Sequence, residues 1–332
     1  MPCTRSRRAF IRDLGLLGSA LPIFAGRPYQ GAPARVSQIG FLSSIGFPDL
    51  LAAFRQELSA LGYTEGENII IETRLSRPNT SESTAMAAEL TQMNLALIVA
   101  GSLPSALEVR NANPAMPMVI ATCPGMVSNG FARSLERPGG IYTGIDELPP
   151  GVTARRLRLL KTAVPAVTRV ALLSTTPGRG GHEMQLADAE VAASALSIEV
   201  RPYRAASLAE LRRALEQIAD DGATGLLNFQ GGLSVVNRQL MVDFLTERRI
   251  PAIYQATMFV EAGGLMAWAP DLIEQYREAA RFVDAILKGA KPGDLPIKQP
   301  EKYYLTVNST AALKIGLTLP QELLSQATRV LR

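Results

Sequence analysis

The residues able to do chemistry are few and scattered. The chain has one histidine, His182, and two cysteines, Cys3 and Cys123. Zinc is held by three or four His, Cys or acidic ligands at defined spacing, and no such set can be assembled from this inventory. A Ser-His-Asp triad would have to use His182, yet no G-x-S-x-G turn presents a serine. His182 therefore reads as a surface residue at a helix start. Cys123 ends a strand with no histidine partner in sight, so it reads as a small, weakly polar residue facing a cleft rather than a nucleophile. No Walker loop is present. The glycines at 178–181 and 231–232 do not make G-x-G-x-x-G after a strand, so a dinucleotide finds no cradle. Paired carboxylates for acid–base work are not recognisable at any strand end. Catalysis is not expected, nor any cofactor or metal.

The strand ends carry neutral hydrogen-bonding groups instead. In the first half these are Ser43, Ser44, Ser102, Ser105 and Thr122; in the second, Ser174, Thr175, Asn228, Gln230, Tyr254 and Gln255, with Trp268 further on. In open parallel sheets ligands bind outside the carboxyl ends of the strands. Helices starting near Pro48 and Pro104 would aim unsatisfied backbone N–H groups at an anion such as a carboxylate. Any one of these Ser, Thr or Asn residues could simply cap its helix. As a set they suit reversible capture of a small polar molecule, with Ser43, Ser44, Ser102 and Thr122 on one side and Gln230, Tyr254 and Trp268 on the other.

The elements that must position them alternate. Short β-branched runs (Val36–Leu42, Asn68–Thr73, Leu95–Ala100, Met118–Ala121) are separated by helical patterns such as Leu50, Leu51, Phe54, Leu58 and Leu61. From Arg169 to Tyr254 the alternation starts again: strands at Arg169–Leu173, Ile198–Tyr203, Gly225–Asn228 and Pro251–Tyr254, helices at His182–Ala195, Leu208–Ala219 and Val235–Arg248. This pattern predicts parallel sheets with helices on both faces. Between the halves lies Arg137–Gly151, rich in Pro and Gly. One sheet would have no reason to pause there, whereas two sheets joined by a crossover would. Ile141–Ile145 reads as an extended hinge, with Thr143, Gly144 and Ile145 at its centre. Beyond it, Thr153–Ala163 is predicted as a helix with Leu157 and Leu160 inward and Arg155, Arg156 and Arg158 outward on a solvated face. Leu272–Leu287 reads as a long amphipathic helix, Tyr303–Val307 as a late strand, and Ala311–Gly316 and Gln321–Val330 as helices.

Residues 1–34 read as an export signal. Arg5, Arg7, Arg8 and Arg12 precede an apolar run, Leu14–Ala25, and Ala32-Pro33-Ala34 is a cleavage candidate. The run is too short to span a bilayer, which needs about twenty residues. Ser6-Arg7-Arg8-Ala9-Phe10-Ile11 resembles the twin-arginine motif. The full chain has 34 basic and 30 acidic residues; without Arg5, Arg7, Arg8, Arg12, Arg27 and Asp13, 29 of each remain. The basic pI is thus a property of the leader, and a nucleic-acid footprint is not expected. Only Cys123 would remain, so stability must come from apolar cores, for which the 47% hydrophobic content suffices.

Motifs along nearly the whole mature chain resemble one family. They are Ile39-Gly40-Phe41-Leu42-Ser43; Phe54-Arg55-Gln56-Glu57-Leu58 with Leu61-Gly62-Tyr63; Arg137-Pro138-Gly139-Gly140 with Thr143-Gly144; Ile250-Pro251-Ala252-Ile253-Tyr254; Ala262-Gly263-Gly264-Leu265-Met266; Ile286-Leu287-Lys288-Gly289; and Gly316-Leu317-Thr318-Leu319-Pro320. The chain resembles the ABC-transporter substrate-binding proteins of type 1 periplasmic-binding fold, in the tryptophan/tyrosine-type branch. The resemblance implies two doubly wound α/β lobes joined by three crossovers, with residues 36–147 and 268–297 in the first lobe and 148–267 and 298–332 in the second. It implies hinge closure on a ligand, delivery to an ABC permease and ATPase, a periplasmic location with only peripheral membrane contact through the permease, and no catalysis. Two departures fall in the pocket. Members often carry Gly-Gly-Asp-Pro where this chain has Cys123-Pro124-Gly125-Met126, and Tyr-Gly-Pro where it has Trp268-Ala269-Pro270. The acid that could meet a ligand amine is missing from that motif, which points to a less cationic ligand, aromatic or carboxylate. A ligand sensor that presents its closed form to a membrane signalling partner is the alternative.

Overall fold

Two strand sets, their central strands buried on both faces, build two separate sheets. A computed structural model describes residues 36–44, 48–77, 80–175, 180–229 and 231–332. The signal-like segment 1–34, the loop 45–47 and Gln230 lie outside the described residues.

The first half alternates β1 (Ser37–Ser43), α1 (Pro48–Ala60), β2 (Ile69–Leu75), α2 (Ser81–Gln92), β3 (Leu97–Ala100), α3 (Leu103–Ala112), β4 (Met118–Cys123) and β5 (Tyr142–Asp146). The strands pair in the order β2-β1-β3-β4-β5, all parallel. Every residue of β3, β4 and β5 is buried, as expected where helices cover both faces. Proline opens α1, where its missing N–H costs nothing. A reciprocal capping box between Thr80 and Ser83 starts α2.

The second half runs α4 (Val152–Ala163), β6 (Arg169–Ser174), α5 (Gly180–Leu196), β7 (Glu199–Arg204), α6 (Leu208–Asp220), β8 (Gly225–Asn228), α7 (Gly232–Val236), α8 (Arg238–Glu247), β9 (Ala252–Tyr254), α9 (Thr257–Glu261), β10 (Met266–Pro270), α10 (Leu272–Leu287), β11 (Tyr303–Asn308), α11 (Ser309–Lys314), α12 (Gln321–Gln326) and β12 (Arg329–Leu331). Its seven-stranded sheet has the order β12-β11-β10-β9-β8-β6-β7. It is mixed rather than wholly parallel, because β10 and β11 run antiparallel.

The expected hinge, Thr143-Gly144-Ile145, is the middle of β5, an edge strand of the first sheet paired with β4. Gly144 has φ +143, and a Cβ there would strike the Ile120 carbonyl, so only glycine lets β5 lie this close to β4. The outer side of β5 is tied to a later segment: Lys298 N–H donates to Gly144 O at 3.0 Å, Asp146 N–H to Lys298 O at 2.9 Å, and Thr143 Oγ1 to Leu295 O at 2.9 Å. The chain passes between the sheets three times, after Asp146, after Pro270 and after Lys298. Although α10 follows a strand of the second sheet, it packs on α1, β4 and β5 of the first.

Four expectations need correction. Arg156 is not on a solvated face but 0% exposed. The expected helix Val235–Arg248 is two helices, broken at Asn237, whose side-chain amide donates to Leu233 O at 2.8 Å and competes with the helical ladder. The expected helix Gln321–Val330 ends at Gln326, and Arg329–Leu331 pairs with the open edge of β11. Cys123 is fully buried in an apolar cluster and does not face a cleft.

Candidate functional site

In each sheet a first strand has neighbours reached by crossovers of opposite sense: β1 lies between β2 and β3, and β6 between β7 and β8. At such a switch point the loops diverge and leave a crevice beyond the strand ends. Between the crevices of the two sheets lies a partly open cavity, with room for water centres of about 50 Å³. Ser102, Leu103, Pro104, Thr122 and Pro124 line it from the first sheet; Gly231, Gly232, Val235, Gln255, Ala256 and Met258 from the second; Glu147 and Leu272 from the crossovers.

The first wall is a closed network of hydroxyls. Ser44 Oγ lies 2.8 Å from Ser102 Oγ, and Ser102 Oγ 3.1 Å from Ser105 Oγ. The Ser44 N–H donates to Ser105 Oγ at 3.0 Å. Behind them Thr122 Oγ1 and the Tyr276 hydroxyl both donate to Gly101 O, at 3.0 and 2.8 Å. Ser43 sits beside Gly101 in the same layer. Ser102 is the N-cap of α3 but makes no side-chain cap bond, so the first-turn N–H groups of Leu103 and Ser105, which have no intrahelical acceptor, point toward the cleft end of the helix.

The second wall is less complete. Asn228 Nδ2 donates to Gln255 Oε1 at 2.6 Å, and Gln255 Nε2 to Ser234 Oγ at 3.3 Å. Asn228 Oδ1, Ser174 Oγ and His182 Nδ1 are buried without hydrogen-bond partners among the described residues. His182 is 5% exposed, not the surface residue its sequence position suggests; its ring lies 5.8 Å from Phe229. Burial, with the nearby Arg204 charge, lowers its pKa.

The floor is charged. Glu147 is the one ionisable side chain among the described lining residues. Its N–H donates to Cys123 O and its carbonyl accepts from the Tyr303 hydroxyl, both at 3.0 Å. Burial pushes its carboxyl up to about 7; the Arg156 charge opposes this and Asp146 adds to it. Burial pulls the Arg156 guanidinium down to about 10, against the Tyr303, Glu147 and Asp188 groups. Its Nε donates to Trp268 O at 2.9 Å. Asp146 accepts from the N–H groups of Gly125, Met126 and Leu148 at 3.1, 2.9 and 3.0 Å. Burial raises its pKa in spite of those three bonds, which stabilise the carboxylate. It fixes the loop after β4 to the first crossover.

Of the residues singled out from sequence, Ser102, Thr122 and Gln255 line the cavity, and Ser43 and Ser44 stand directly behind. Tyr254 stacks on Phe259 (centroids 4.6 Å apart) within the second sheet's core. Trp268 stacks on Tyr303 at 4.6 Å and packs against the other core cluster of that sheet. Neither lines the cavity. Glu147 and Arg156 were missed. The signal for Glu147 was its place one residue past the last strand of the first sheet; Arg156 carried none, since its neighbours Arg155 and Arg158 made it look like part of an exposed stripe.

Two α/β lobes flanking a polar crevice have the type 1 periplasmic-binding fold. Residues 37–331 match the model of the family described as ABC transporter substrate binding protein, and the chain belongs to that family. Its members are ligand-binding proteins rather than enzymes, and work in the periplasm or outside the cell. Among relatives, the chain is 23% identical over 274 residues to a tyrosine-binding protein of Clostridioides difficile, covering 81% of this chain and 78% of that one. A conserved domain protein from Vibrio cholerae superposes with TM-score 0.82 at 23% identity, over 89% of this chain and 100% of that one. An ABC domain from Streptococcus pneumoniae, in complex with L-Trp, gives 0.80 at 21% identity, over 88% and 100%. No helix among the described residues is long and apolar enough to cross a membrane.

Proposed function

We propose that this protein captures an α-amino acid between its two lobes and delivers it to an ABC permease and its ATPase. The observation that carries this is that Glu147, the one acid among the described lining residues, and the α3 N-terminus line the same cavity. An amino acid has opposite charges at its two ends, and the cleft matches both. Its carboxylate would meet the α3 N-terminus and the hydroxyls of Ser102 and Thr122, backed by Ser43 and Ser44. Its ammonium would meet Glu147. The acid absent from the Cys123-Pro124-Gly125-Met126 motif is thus supplied by the crossover, so the ligand is cationic at one end rather than merely aromatic or anionic. Gln255 and Gln230 would close from the second lobe, with Tyr254 and Trp268 shaping that wall from behind. The paired segments at 143–146 and 295–298 serve as the hinge between lobes that meet after residues 147, 270 and 298; the second boundary lies past the expected Trp268 because Met266–Pro270 is a strand of the second sheet. Export through the signal-like residues 1–34 places the protein in the periplasm, touching the membrane only through the permease. The relatives that bind tyrosine and L-Trp support an amino-acid ligand.

Isothermal titration of the purified protein against the L-amino acids tests this. Removing one partner of a desolvated charge pair costs about 2–5 kcal/mol, so Glu147→Gln is expected to weaken the best ligand by more than about thirtyfold. Unchanged affinity in Glu147→Gln, or no binding by any amino acid, overturns the reading.

A further inference from the structure

Glu147 is held by both lobes at once. Its N–H donates to Cys123 O, at the end of β4 in the first sheet, and its carbonyl accepts from the Tyr303 hydroxyl, at the start of β11 in the second, both at 3.0 Å. A peptide group is planar, so the first bond orients the plane before the Glu147 Cα and the second the plane after it. With both planes held, the Cα–Cβ bond has one direction, and the side chain is delivered to the cavity that Glu147 lines. A rotation of one sheet against the other must turn that bond or break one of the two holds.

The two holds differ in what stands behind them. On the first-lobe side, the Asp146 carboxylate accepts from the N–H groups of Gly125, Met126 and Leu148. The end of β4 and the chain around Glu147 are thereby tied into one piece. On the second-lobe side the hold on the Glu147 carbonyl is a single phenol. The Tyr303 ring stacks on Trp268, with centroids 4.6 Å apart and planes 25° from parallel. The Trp268 carbonyl accepts from Arg156 Nε at 2.9 Å, and Arg156, on α4, is fully buried. β10 and β11 pair antiparallel with Tyr303 opposite Pro270. The stack therefore sits where the second crossover leaves this sheet and the third rejoins it. An arginine is costly to bury; this one anchors the strand whose indole backs the phenol.

We infer that Tyr303, set by Trp268 and Arg156, is a positioning residue for amino-acid binding: its hydroxyl fixes the direction of the Glu147 carboxylate and makes that direction depend on how the two sheets stand to each other. The inference rests on the amino-acid reading above. A recognition group is effective only when the groups behind it hold it within about 0.5 Å of its productive place. The pull of the ligand's ammonium on Glu147 and the movement of the lobes thus act on one hydrogen bond.

A double-mutant cycle tests this, read by isothermal titration of the purified protein with the L-amino acids. Tyr303→Phe keeps the ring stack and removes only the hydroxyl. It is expected to weaken the tightest-binding amino acid about fivefold or more in the wild-type background, but less than about twofold in Glu147→Gln, because a residue that acts through Glu147 loses its effect once the carboxylate is gone. Trp268→Leu, which removes the stack, is expected to weaken binding in the same sense, and Trp268→Phe, which keeps a ring against Tyr303, to restore it. An equal loss from Tyr303→Phe in both backgrounds would show only general support of the lobe, and overturns the inference while leaving the amino-acid reading intact. So does wild-type affinity in Tyr303→Phe. Wild-type affinity in Trp268→Leu overturns the part given to the stack. Unchanged affinity in Glu147→Gln, or silence from every amino acid, sinks the amino-acid reading and this inference with it.

Discussion

The two walls of the cleft are built from the same parts and finished differently. At the ends of β1 and β3, Ser44, Ser102 and Ser105 satisfy one another, and Ser105 also holds the Ser44 N–H. At the ends of β6 and β8, Asn228 Oδ1 and Ser174 Oγ are buried without partners among the described residues. A satisfied network is rigid and contributes to folding whether or not ligand is present, while an unsatisfied buried acceptor costs stability until something donates to it. The first lobe therefore offers a preorganised receptor, and the second gains most from closing. That division of labour suits a protein that must bind and then let go: a ligand held by one finished wall is released when the other swings away.

Blocking the second wall should have the largest effect. Gly181→Val places side-chain carbons where Pro124 O now sits, at 2.6 Å from even the first of them. Affinity should fall more than about thirtyfold, the scale of a lost closed form, with the melting temperature of the unliganded protein little changed. Closure seen by small-angle scattering on adding ligand should vanish. Full affinity in this variant would mean that the walls need not meet at that point.

The floor gives the next effect. Desolvation at its half-buried position pushes the Glu147 carboxyl up to about 7, and only its ionised form attracts an ammonium. Amino-acid affinity should rise about tenfold between pH 6 and pH 8, and Glu147→Gln should flatten that profile. In the unliganded protein the sign reverses. The folded-state value lies above the ordinary 4.5, so the folded chain binds more protons than the unfolded one between about pH 4.5 and 7, and stability falls as pH rises through that window. Affinity independent of pH would place the ligand's charge elsewhere than at Glu147.

The finished wall gives the smallest effect, and on a different readout. Ser105→Ala leaves the buried Ser44 N–H without its acceptor, at a cost of about 1 kcal/mol or somewhat more. Chemical denaturation should show the loss directly, with affinity changed less than about threefold. A large affinity loss with unchanged stability would reverse the assignment of the two walls.

Much of this molecule follows from local rules that a sequence states openly. Alternating β-branched runs and amphipathic stretches specify strands buried between helices, and the Pro–Gly interruption from Arg137 to Gly151 marks where one sheet ends. Hydroxyls and amides at strand ends lie near the crevice because parallel strands all deliver their carboxyl ends to one edge. Ser102 and Thr122 could be found in this way. Tertiary structure alone decided the rest. Whether Arg156 faces water or is buried depends on β10, whose Trp268 carbonyl accepts from its Nε across 112 residues of chain. Whether Arg329–Leu331 is helix or strand depends on the free edge of β11, an edge that exists only after β10 and β11 have paired. Tyr254 ends β9 as expected but stacks on Phe259 in the core, and Trp268 lies in the middle of β10, half-buried against Tyr303. Periodicity fixes which elements form and which way their strands point. Charge burial and the wall of a cavity are set by contacts between segments more than a hundred residues apart, and no local pattern encodes those.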